Sequence, residues 1–61
     1  MTIKTSIGKI TATPEVLNYL SILATEARDN FISKKHNGLA TEAETVGHEI
    51  YKALEEIGLY K

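Results

Sequence analysis

Cysteine is absent from this chain of 61 residues, and that single absence excludes a disulfide framework, a thiolate zinc site and a cysteine nucleophile together. Tryptophan is absent too, and proline occurs once, as Pro14. No apolar run approaches the roughly 20 residues needed to span a bilayer, and no charged start leads into a continuous apolar stretch of the kind that marks a signal peptide. A soluble, cytoplasmic protein with no membrane partner is the expectation. Charge of one sign is also lacking. The 7 basic and 8 acidic residues leave a formal net charge of −1, too little for electrostatics alone to select nucleic acid, a membrane surface or an acidic ligand.

What is present is the material of one small domain, residues 1–61. A chain this short buries only about 60% of the surface its unfolded form exposes. With neither disulfide nor thiolate metal site to help, a partner chain is the remaining source of stability.

The organisation turns on Thr13-Pro14-Glu15-Val16. Thr13 is suited to the N-cap, where its hydroxyl accepts from a first-turn amide, and Pro14 to N1, where a missing N–H is harmless. Glu15 adds a favourable charge at the positive end of the helix dipole.

Before this boundary, residues 2–13 read as a β-hairpin. Ile3, Thr5 and Ile7 alternate, Gly8-Lys9 interrupts, and Ile10 and Ala12 resume on the opposite parity. With Gly8-Lys9 as a two-residue turn, residue 7 faces 10, 5 faces 12 and 3 faces 14. Ile3, Thr5, Ile7, Ile10 and Ala12 then share one face. Thr2, Lys4, Ser6, Thr11 and Thr13 share the other. A single strand bulged at Gly8 accommodates the same parity switch.

After the boundary, residues 14–36 predict an amphipathic helix. Leu17, Leu20, Ala24, Ala27 and Phe31 step by three and four, and Val16, Leu23 and Ile32 widen the stripe. Lys34, Lys35 and His36 suit its last turn, and Asn37-Gly38 its left-handed end. A second helix is expected over residues 41–57, opened by a capping box at Thr41 and Glu44. Its seam is Leu39, Ala43, Val46, Ile50, Ala53 or Leu54, and Ile57. Gly58 ends it at C′, with a Schellman contact between Leu54 and Leu59. The apolar tail Leu59-Tyr60-Lys61 is expected to dock. The fold class is therefore α+β: an N-terminal β-hairpin packed on an antiparallel two-helix hairpin, in the order ββαα.

Groups suited to catalysis are scattered. His48-Glu49 begins like the zinc-protease signature H-E-x-x-H, but Lys52 stands where the second histidine belongs. Glu44 and His48 are i, i+4 neighbours, which reads as a solvated pair, since nothing is spaced to complete a metal set. Ser6, Ser21 and Ser33 lie in no glycine-flanked elbow, and the glycines form no phosphate loop. No enzyme activity, metal or cofactor is expected. Gly47 breaks the helix rule and points to close approach of a neighbouring helix, or else to a notch in a binding surface.

Two classes of function follow. The first is a non-enzymatic protein-interaction or regulatory module acting as a homodimer, with Leu17, Leu20, Leu23, Phe31, Val46, Ile50, Tyr51 and Leu54 as candidate interface. The second is a small nucleic-acid-binding regulator using Lys4, Lys9, Arg28, Lys34 and Lys35. The acidic second helix and the neutral charge balance weigh against it.

Ile7-Gly8-Lys9-Ile10-Thr11-Ala12-Thr13-Pro14-Glu15-Val16 resembles the opening of the bacterial alkaline-shock protein domains, which also run from a short G-K-I strand into a P-E-V helix start. The resemblance covers these ten residues and implies a strand feeding a proline-started helix. It stops after residue 17, and no function is carried across.

Overall fold

Thr13 and Pro14 do divide the chain as their chemistry requires. The Thr13 hydroxyl accepts from the Val16 amide at 3.2 Å, and Pro14 occupies the first turn of a helix running Pro14–Ser33, here α1. The computed structural model describes residues 1–58. Ahead of α1 lie two antiparallel strands, β1 (Thr2–Thr5) and β2 (Gly8–Thr11), and behind it a second helix, α2 (Asn37–Glu56). The order is ββαα, as expected.

The hairpin turn is not at Gly8-Lys9. The register pairs Thr2 with Thr11, Ile3 with Ile10, Lys4 with Lys9 and Thr5 with Gly8, so Ser6 and Ile7 form the turn. Gly8 does take a positive φ, +128°, but at the end of the turn, as a glycine bulge residue does after an ordinary turn. Thr5 closes the loop: its hydroxyl donates to the Gly8 carbonyl at 2.7 Å and accepts from the Ile7 amide at 3.3 Å. The register differs from the expected one by an even number of residues, so each paired side chain keeps its face. Ile3 and Ile10 still point at the helices. Only Ile7 is displaced, to the tip, where it is 63% exposed.

The helix junction also differs from expectation. Lys34, Lys35 and His36 form the connection instead of the last turn of α1, and Lys35, not Asn37 or Gly38, takes the left-handed conformation at φ 63°. The amide of His36 reaches the Phe31 carbonyl at 2.8 Å and that of Lys35 the Ile32 carbonyl at 3.0 Å, the paired bonds of a Schellman motif. That turn is complete within three residues, so α2 starts at Asn37. The expected capping box therefore falls inside the helix, where the Thr41 hydroxyl donates back to the Asn37 carbonyl at 3.1 Å. At the far end Gly58 adopts φ 84°, the C′ conformation expected of it. The Leu59 contact and the docking of the tail lie outside the described residues.

Ile3, Leu17, Ile50 and Leu54 form the buried core, and Ile10, Ala12, Leu20, Val46 and Ala53 pack around it. The two helices meet along Leu17, Ser21 and Ala24 on α1 and Gly47, Ile50 and Leu54 on α2. At 100° per residue, Leu20, Leu23 and Ala27 lie on one flank of that seam and Asn18, Ile22 and Thr25 on the other. The hairpin occupies the first flank. β1 runs antiparallel to α2: Thr2 and Ile3 lie beside Ile57 and Ala53, while the Ser6 amide donates to the Glu49 carboxylate at 3.0 Å.

Candidate interaction surfaces

Periodicity places an apolar stripe on each helix, but packing decides which of its members face water. Leu17, Ile50 and Leu54, three of the expected interface residues, are wholly buried in the chain's own core. They are corrected to core residues, because the hairpin and the opposing helix already cover them. Leu20 and Val46 are half-buried against that core, and Phe31 is half-buried further along α1. Leu23 and Tyr51 remain open, at 41% and 42% exposure. Val16, Tyr19, Ile22, Leu39 and Ile57 are open as well. Tyr19 and Ile22 lie outside both the apolar stripes and the expected interface. Their signal is their position on the helix wheel, about 160° and 140° from Leu17 on either side, which removes them from the helix seam.

The uncovered apolar residues are distributed by length. Strands of four residues extend about 13 Å, whereas helices of twenty extend about 30 Å. The hairpin therefore lies along only the half of its flank beside the end of α2, which β1 meets, and even there Val16 and Ile57 stay 49% and 54% exposed. Beyond its tip, the same flank presents Leu23, Ala27 and Phe31 from α1 and Leu39, Ala43 and Val46 from α2.

On the opposite flank, Gly47 and Ser21 floor an open groove between the helices, walled by Asn18, Thr25, Glu44 and His48. The Ser21 hydroxyl is turned back to the Asn18 carbonyl at 2.7 Å, so the floor's own polar group is satisfied within α1. Among the described residues no group of three metal-ligating side chains comes together.

The cations do not converge. Lys4 and Lys9 are cross-strand partners on the outward face of the hairpin, where their like charges repel. Arg28 is engaged by Asp29 at 3.0 Å. Lys34 and Lys35 sit in the helix connection at the other end of α1, about 30 Å from the hairpin end of the helix. A phosphate backbone needs a continuous basic strip. No helix among the described residues is long and apolar enough to cross a membrane. No family model, curated protein or solved structure matches the chain, so the likeness to alkaline-shock domains extends no further than a strand leading into a proline-started helix.

Proposed function

We propose that this protein is a non-enzymatic protein-interaction or regulatory module that works as a homodimer. The observation that supports it is the exposure of large apolar side chains along both helices, with Leu23 and Leu39 at 41% and 48% and Val16 and Ile57 at 49% and 54%. Single exposed apolar residues are ordinary on any protein, but contiguous ones on two packed helices mark a surface that another chain covers. Stability points the same way. One core of this size supplies about 3 to 5 kcal/mol, and a folded partner adds to it by mass action.

The test is analytical ultracentrifugation with a thermal melt at several protein concentrations. The expected result is a two-chain mass at tens of micromolar and a melting temperature that rises with concentration. A single-chain mass together with a concentration-independent melt overturns the proposal.

A further inference from the structure

Of the two strands only β1 lies against a helix, and that helix is α2. Neighbouring strands are about 4.8 Å apart and packed helices about 8 to 10 Å. With β1 along α2, β2 stands over the seam between the helices, where Ile10 and Ala12 reach the core. A third strand would lie along the start of α1, and none is there among the described residues. We infer that this place takes an extended segment of a partner protein, acidic on its water side and apolar on its α1 side, added to the sheet at the free edge of β2. This goes beyond the homodimer reading and does not depend on it.

The phase of the ladder decides which backbone groups are free. Met1 and Ala12 exchange both bonds: the Met1 nitrogen donates to the Ala12 carbonyl and the Ala12 amide to the Met1 carbonyl, each at 3.0 Å. Alternation then makes Ile3–Ile10 and Thr5–Gly8 the hydrogen-bonded pairs, and Thr2–Thr11 and Lys4–Lys9 the closer, unbonded ones. The Thr2 and Thr11 hydroxyls do meet, at 2.9 Å. The amide and carbonyl of Lys9 and of Thr11 therefore point away from β1. The outer edge of β1 lies beside α2, where the Glu49 carboxylate accepts from the Ser6 amide at 3.0 Å, whereas no helix lies against β2. Beneath the vacant place, Val16 and Leu23 of α1 are open. They share the hairpin side of the helix wheel with Leu20, and alternate side chains of an added strand would point down at them. Charge fixes the other face of the segment. Lys4 and Lys9 are cross-strand partners in the closer kind of pair, so their like charges repel. A strand bonded to β2 sets one residue directly opposite Lys9 on the same face, about 5.5 Å away between α-carbons. A carboxylate there neutralises the lysine. A second copy of β2 has only Lys9 and Thr11 to offer at that position, which adds a like charge or none.

The test titrates the isotope-labelled full chain with a capped pentapeptide, Val-Glu-Val-Glu-Val, and follows it by NMR. The Lys9 and Thr11 amides and the Val16 and Leu23 methyl groups should shift, and the Ile22 methyls on the opposite flank should not. The same peptide with lysine in place of glutamate should bind about tenfold more weakly. Thr11→Pro removes an edge amide that makes no bond to β1, a change that an edge strand tolerates, and should abolish the shifts while circular dichroism shows the fold intact. Lys9→Glu should reverse the preference between the two peptides. No shift at millimolar peptide, shifts at Ile22 instead of Val16, binding that survives Thr11→Pro in a folded chain, or equal binding of both peptides overturns the inference. A chain that binds the peptide but sediments as a single copy at every concentration keeps this edge site and loses the homodimer, and a dimer indifferent to the peptide does the reverse.

Discussion

Gly47 of α2 lies so close to Ala24 of α1 that a β-carbon added to the glycine would stand 3.0 Å from the alanine's own, with the Ser21 carbonyl oxygen at 3.6 Å. The neighbour is a short, rigid side chain, so only a shift of one helix against the other can relieve the contact. Two effects oppose each other in Gly47→Ala. Helix propensity favours alanine by about 1 kcal/mol, and overpacking costs about 1 to 3 kcal/mol. A net loss of about 1 kcal/mol is expected, and Gly47→Val should lose clearly more. Making Ala24→Gly in the Gly47→Ala background should recover part of the loss, a non-additivity that a double-mutant cycle by denaturant unfolding measures directly.

Lys35 pays a conformational penalty that glycine would not. Its φ of 63° places a β-carbon in the left-handed region, at a cost of about 1 to 2 kcal/mol for an L-residue. Lys35→Gly keeps both Schellman bonds and removes the strain, against the greater freedom glycine has when unfolded. Stability should rise by about 1 kcal/mol, read as a higher urea midpoint at fixed protein concentration. A lower midpoint would mean that the lysine side chain supplies something the backbone conformation does not reveal.

Gly58 is the converse case. At φ 84° it ends α2, and Gly58→Val should cost about 1 kcal/mol or more because a branched side chain is penalised there. An unchanged midpoint would place the end of the helix elsewhere.

Thr5 is 7% exposed, yet its hydroxyl makes two of the side-chain bonds that hold the Ser6-Ile7 turn, to Gly8 at 2.7 Å and from Ile7 at 3.3 Å. Thr5→Val preserves shape and β-propensity while deleting both, and should cost about 1 to 2 kcal/mol. Thr5→Ser should lose less. The specific readout is amide exchange: the Ile7 amide should exchange much faster in the valine variant, while the helix amides respond only to the global change in stability.

The pattern of the chain carried the order of elements and the faces of the hairpin, because those depend on periodicity and on strong local caps such as Thr13 and Pro14. It did not carry the hairpin register. Any even shift of β1 against β2 satisfies the same alternation, and the choice falls to the Thr5 hydroxyl and to whether Gly8 opens or closes the turn. The start of α2 was hidden for a related reason. Asn37-Gly38 is the local signal for a helix end, and nothing in the letters announces that a lysine will take the left-handed position two residues earlier. The interface was only half legible. Leu17 and Leu23 look alike in sequence, and what separates them is their place round α1: Leu17 lies on the seam with Ile50 and Leu54, whereas Leu23 lies about 120° away on the flank.

Ile3 and Leu54 are buried in one core from opposite ends of the chain. Most other contacts are local, either within the hairpin or between two helices joined by three residues, and local contacts form early. Burial of Ile3 is the exception: it requires a loop containing nearly every residue to close, and that closure has the largest entropy cost of any step. During synthesis the hairpin emerges ahead of both helices and is marginal without one to lie on. β1 therefore waits until the final turns of α2 exist, and a ribosome stalled before Leu54 holds a polypeptide with Ile3 still in water.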